Sequence, residues 1–270
     1  MRDFNDQARP PPDGVKDLAR MVQSVSHRHG AWQVFSDFAE MAAISLSNAV
    51  DRAQAETREA RYMEVIKRYS REELAKFPEM LAALVNALEE EPSDVMGRTF
   101  HELELHNKWA GQFFSPYPLC RMMAKMTLSD TADLEARISD RGFVTASEPA
   151  VGSGAMVIAL AHEMHEAGIN YQQHLHVTAV DVDLKCVHMA YLQCALLHIP
   201  AVIVHGNTLS VQEYSRWYTP AHILDGWNFK LRREASAARE IERVEPRPAM
   251  TASAEDDPEQ PQGPSQLTLF

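Results

Sequence analysis

Apolar residues recur along this chain with two different periods. From Val15 to about Glu90 they fall three and four positions apart, as in Trp32, Phe35, Phe38, Ala39 and Ala42, which puts them on one face of a helix. Ser70 with Glu73 gives a capping-box signature opening REELAKFPEMLAALVNALEEE, and Pro78 is expected to bend or split that helix. Glu91-Pro92 ends the helical stretch. Further on the pattern changes to short apolar runs bounded by turn residues, at 143–148, 176–181 and 201–204, which read as buried strands separated by helices. AHIL (221–224) leaves room for one more short strand. The alternation predicts an α/β sheet over 111–230, preceded by an α-helical domain at 16–110 and followed by a basic helix at 231–244. The ends, 1–15 and 245–270, are rich in Pro, Glu, Asp and Gln, a composition that predicts disorder.

The chain has 270 residues and 45% apolar content, enough to bury a good core. No apolar run approaches the roughly 20 residues of a membrane helix, and the N-terminus is polar and proline-rich, so no membrane partner is expected. Cys120, Cys186 and Cys194 have neither paired zinc spacing nor an oxidising context, which favours a reducing cytoplasm. His162 and His165 are three apart rather than four and fail the zinc-protease pattern; no metal is expected there, and the two read as solvated helix residues. His174 and His176 read as polar residues at a strand boundary. The net charge of −12 works against non-specific contact with phosphates. Any DNA surface must then be local, with KLRREASAARE (230–240) as its best candidate and a solvated closing helix as the alternative.

The chemistry concentrates where strands end. FVTASEPAVGSG (143–154) runs from a strand into a glycine turn that opens a helix; Gly152 and Gly154 allow close backbone approach, and the helix start offers free N–H groups. Asp181 ends the second strand, where an acid can accept both hydroxyls of a ribose, and Asn207 ends the third, where a polar side chain can meet an adenine amine. From about Asp94 to about Leu209 the chain resembles adenine-specific DNA methyltransferases related to the modification subunits of type I restriction systems. GQFFSP (111–116) is similar to the family's GQFYTP, EPAVGSGAM to DPACGSGGF with Val151 in place of Cys, AVDVD to the acidic second motif, and HGNTL to GDTL with Asn207 in place of Asp. The resemblance implies a Rossmann-like methyltransferase sheet and S-adenosylmethionine (SAM) as cofactor. It implies SAM contacts from Gln112, Phe113, Phe114, Ser115, Pro116, Glu148, Ala150, Gly152, Ser153, Gly154, Asp181, Asp183 and Asn207. The family's catalytic motif, Asn or Asp followed by Pro-Pro and an aromatic, is missing. Its nearest remnant is TPAH (219–222), in which Thr219, Pro220 and His222 would take the catalytic places. Tyr214, Trp217 and Tyr218 lie just before it and read as loop packing, or as walls for a flipped base.

Only about twenty residues separate the third strand from the basic helix, so the second half of a seven-strand sheet is truncated. Its open edge requires a cover: the N-terminal helices, a second copy, or a partner subunit. The last residues, QLTLF, resemble the QLxLF peptide that binds the bacterial replication sliding clamp, with Gln266 at a polar pocket edge and Leu267, Leu269 and Phe270 as apolar anchors. The leading reading is a SAM-binding DNA methyltransferase-like protein, of adenine N6 type if active, brought to DNA by the clamp. The alternatives are a catalytically silent binding module and a subunit that needs a partner to complete its site.

Overall fold

The computed structural model describes residues 13–105, 114–244 and 266–268. Six helices come first: α1 (Gly14–His29), α2 (Ala31–Val50), α3 (Ala55–Ile66), α4 (Arg71–Leu74), α5 (Lys76–Glu90) and α6 (Val95–Glu102). The predicted capping box is present, with Ser70 accepting from the Glu73 amide and Glu73 from the Ser70 amide. The expected break falls at Ala75, three residues before Pro78, which sits in the first turn of α5.

The α/β part follows as α7 (Tyr117–Thr127), α8 (Thr131–Arg141), β1 (Val144–Glu148), α9 (Ala155–Glu166), α10 (Tyr171–His174), β2 (Leu175–Asp181), α11 (Leu184–Leu196), β3 (Ala201–Asn207), β4 (Gln212–Tyr218), α12 (Pro220–Leu224) and α13 (Trp227–Val244). A last short strand, β5, covers Gln266–Thr268. The sheet order is β4-β3-β2-β1-β5, with β4 antiparallel and the other pairings parallel. The three expected strands are β1, β2 and β3. AHIL is not a strand: Thr219 caps α12 through its side chain and Pro220 opens it, so the segment is helical. The fourth strand is instead QEYSRWY, which carries Tyr214, Trp217 and Tyr218.

Helix α11 organises the packing. Its residues Cys186 to Ala195 are all buried, as in a helix covered on every side. One side joins the sheet core through Val187, Ala190 and Tyr191; the other joins the helical unit through Cys186, Met189 and Leu192. The N-terminal helices thus cover α11, and α3 also reaches the edge strand β4. Near β4, Arg58 of α3 is buried, bonds Ser47 and Asp51, donates to the Arg216 carbonyl at 2.8 Å, and stacks over Trp217 at 3.9 Å. The basic stretch lies on α13, whose first residue, Trp227, packs against Phe143 and His176 at the amino-terminal end of the strands.

The histidine readings change. His162 is buried and bonds Tyr117 at 3.1 Å, and its neighbour Glu163 is buried and paired with Arg121. Neither is a solvated helix residue, whereas His165 is exposed, as expected. His176 is buried against His222 rather than at a polar boundary. Among the described residues no cluster of His, Cys, Asp or Glu is arranged to hold a metal, and no helix is long and apolar enough to cross a membrane.

Arg58→Ala would leave Asp51 buried without its cation and remove the tie from α3 to β4. The expected cost is about 3–5 kcal/mol, read as a lowered urea midpoint. An unchanged midpoint would mean that the helical unit does not depend on this pair.

Candidate cofactor site

The carboxyl ends of β1, β2 and β3 lie side by side, and most of the expected cofactor residues gather there. Gly152 (φ +55°) and Gly154 (φ +101°) both need the left-handed backbone that glycine adopts freely. A Cβ at Gly152 would come within 3.1 Å of the Phe114 ring, and one at Gly154 within 3.3 Å of the Ala190 backbone. The turn is also tied to its neighbours. Val151 donates to the Val180 carbonyl at 2.8 Å, and Gly152 donates to Asp181 at 2.8 Å. The other Asp181 oxygen accepts from the Asp183 amide at 2.9 Å. Asp183 in turn caps α11.

Glu148, the last residue of β1, is buried and accepts from the Ala150 amide at 3.1 Å. Burial pushes its carboxyl up to about 7, with the Asp181 charge adding to the shift. Burial likewise raises Asp181. Among the described residues no basic side chain pairs with either acid. Two desolvated carboxyl groups without a cation suit a positively charged ligand, and SAM carries both an ammonium and a sulfonium. The donor set and the glycine cradle therefore fit this cofactor.

A second layer holds the turn from behind. Asp94, the cap of α6, accepts from Gly97 at 2.9 Å, from the Ser153 hydroxyl at 2.6 Å and from Gln193 at 3.0 Å. Gln193 also donates to the Ser153 carbonyl at 2.8 Å and accepts from the Met96 amide at 3.0 Å. Asp94, Ser153 and Gln193 are all buried. Gly97 makes this possible, since a Cβ there would lie 2.0 Å from the Asp94 carboxylate and 2.7 Å from the Ser153 hydroxyl. Asp94, Gly97 and Gln193 are absent from the sequence-derived list. The only sequence signal is at Asp94, a capping-type residue before an apolar run.

Other expected residues differ in place or in role. Gln112 and Phe113 lie outside the described residues. Ser115 offers its carbonyl to Cys120, and Pro116 caps α7. Asn207 is at the end of β3, but its oxygen accepts from the Leu209 and Ser210 amides at 3.0 and 3.2 Å. It thus presents an NH2 donor, which suits an adenine ring nitrogen and not the exocyclic amine first assigned to it.

Thr219, Pro220 and His222 are not brought to this site. β4 runs antiparallel to β3, pairing Asn207 with Gln212 at the cofactor end and Val202 with Tyr218 at the other. The TPAH segment follows Tyr218 at the start of β3, about 20 Å from its end at 3.3 Å per residue. There the Thr219 hydroxyl bonds the Ile199 carbonyl and the Ala201 amide, both at 2.9 Å. His222 is buried 2.9 Å from His176, whose ring burial holds down to about 3, keeping it neutral. Trp217 is core, while Tyr214 packs on His205 in the β3–β4 ladder. A cleft of about 690 Å³ lined by Glu91, Arg121, His162 and Tyr171 lies behind α9 and contains none of the expected cofactor residues.

Residues 94–226 match the family described as N-6 DNA Methylase. No protein of curated function matches the chain. Among solved structures, the chain is similar to a putative class I S-adenosylmethionine-dependent methyltransferase from Listeria monocytogenes, with 13% identity and a TM-score of 0.41 over 73% of this chain and 54% of that one. It is also similar to the type I restriction-modification system methyltransferase subunit from Streptococcus thermophilus, with 12% identity and a TM-score of 0.36 over 69% and 55% of the two chains. The chain spans about half the length of these solved structures.

Gly97→Ala would force Asp94 and Ser153 apart, and a destabilisation of about 2–4 kcal/mol is expected from the buried groups left without partners. Gln193→Leu, close in volume but without donor or acceptor, should act in the same direction. Urea midpoints unchanged in both variants would remove Asp94 as the anchor of the turn.

Proposed function

Since residues 94–226 belong to the N-6 DNA methylase family, we propose that the chain is the SAM-binding half of an adenine-type DNA methyltransferase, held near DNA by its C-terminal peptide and unable to transfer a methyl group unaided. One observation carries this reading. The cofactor residues converge at one end of the sheet, while the remnant of the catalytic motif is a helix cap at the other.

Glu148 and Asp181 would hold the cationic and ribose parts of the cofactor, the backbone at Gly152 would approach its methionine end beside Phe114, and Asn207 would donate to its adenine. Bound there, SAM would supply an electrophilic methyl group. What this chain does not place beside it, among the described residues, is a side chain for orienting a target amine. Completion by a partner subunit fits that gap better than weak catalysis by Thr219, whose hydroxyl is already engaged.

Recruitment rests on QLTLF. Burial of Leu269 and Phe270 in a clamp groove would contribute roughly 1.5–3 kcal/mol each, enough for micromolar binding by a short peptide. Such docking would replace the DNA affinity that a chain of net charge −12 lacks.

Three outcomes test this reading. Calorimetry should show SAM binding that strengthens by up to about eightfold from pH 6 to 7.5, as Glu148 loses its proton near 7 and the carboxylate becomes available to the cation. Glu148→Gln should flatten that dependence, and absence of SAM binding by the folded protein would refute the cofactor assignment. With tritiated SAM and unmodified DNA, the chain alone should transfer no label; sustained turnover would show a complete active site. Leu269→Ala combined with Phe270→Ala should weaken clamp binding on the order of a hundredfold while leaving SAM affinity unchanged. Unaltered clamp binding would rule out the peptide as the tether.

A further inference from the structure

β1 leads directly into the cofactor turn, and its edge away from β2 is occupied by residues from the far end of the chain. Thr145 pairs with Gln266, Ala146 with Leu267 and Ser147 with Thr268, in parallel. A free strand edge presents a row of N–H and C=O groups that will pair with any extended segment able to lie beside it. Here the added strand has three residues, the lower limit of strand length, in the weaker parallel ladder. Such a contact is weak between separate molecules and is strengthened by connectivity. β5 follows α13 in the same chain after residues 245–265, and a covalent connection of that length keeps two segments at effective concentrations on the order of millimolar.

We propose that the β1 edge is a strand-accepting site which the chain's own Gln266–Thr268 fills in cis, and that this pairing withholds the C-terminal peptide from a partner that grips the same residues. The withholding rests on the clamp reading above; the strand site does not. The backbone of Gln266 and Leu267 cannot lie in the sheet and in a partner's groove at once. Each engagement therefore weakens the other by the same factor. A partner that captures the tail also uncovers β1 next to Glu148, so capture and access to the sheet edge become one event.

The test uses the full-length chain with Leu267→Pro, because proline has no N–H and does not fit a ladder. Thr268→Pro serves as a second break at the end of the strand. Hydrogen exchange at the edge-facing amides of 145–147 should be at least about tenfold faster in both variants than in the wild type, with β2 and β3 unchanged. A labelled peptide of residues 261–270 should bind the Leu267→Pro chain at the vacated edge, and bind the wild type at least about tenfold more weakly because its edge is filled. Equal exchange at β1 in all three proteins, or equal peptide binding, would overturn the strand site. On the clamp, the wild-type chain should bind at least about tenfold more weakly than the free peptide; equal affinity would overturn the withholding. A free peptide that does not bind the clamp would sink the clamp reading alone, while the exchange experiment still decides the strand site.

Discussion

One buried carboxyl group, that of Asp94, joins the two halves of the molecule. Withdrawn from water, it has to be met by donors, and its three come from three elements: the first turn of α6, the glycine turn and α11. The shape of the cofactor turn is therefore set from outside the sheet as much as by β1. Gln193 closes the arrangement by engaging Ser153 and Met96 on either side of the carboxylate. In a small buried network of this kind each member is costly to lose, because its partners have nowhere else to turn.

The strands legible in the sequence are those that place apolar residues in the core. Val144 and Ala146 of β1, Leu175, Val177 and Ala179 of β2 and Ala201, Ile203 and Val204 of β3 are all buried, and they make the apolar runs. β4 was hidden for the opposite reason: of QEYSRWY only Trp217 is buried, so the strand exists through its pairing with β3 and leaves no apolar signature. AHIL misled because it is apolar, although the Thr-Pro before it already signalled a helix start. β5 is three residues long, too short for any side-chain period to announce it. His162 read as solvated because its partner, Tyr117, lies on another helix. Glycines and terminal acids at the cofactor end were legible because local backbone chemistry demands them. Gln193 was not, since its meaning comes from Asp94, far away in sequence.

Charge and geometry agree on how such a chain would meet DNA. Among the described residues, no basic side chain pairs with Glu148 or Asp181 at the cofactor end, a charge pattern that attracts a cation and repels phosphate. The basic stretch begins on a helix anchored by Trp227 at the opposite end of the strands. A duplex laid over the cofactor would gain little from Lys230, Arg232 or Arg233. On the proposed reading the cofactor end offers DNA little of its own, and delivery of the polymer falls to the C-terminal peptide.

The separation of Asp94 from its donors has a bearing on how the chain acquires its shape. Ser153 is 59 residues away and Gln193 is 99, so neither bond is available while the helical unit is emerging from the ribosome. The early helices can pair with one another at once, through local contacts that form quickly. The turn cannot take its final form until α11 has been synthesised and has docked. A place for the ligand then appears late during biogenesis, and a nascent chain stalled before Gln193 would contain helices without the finished turn.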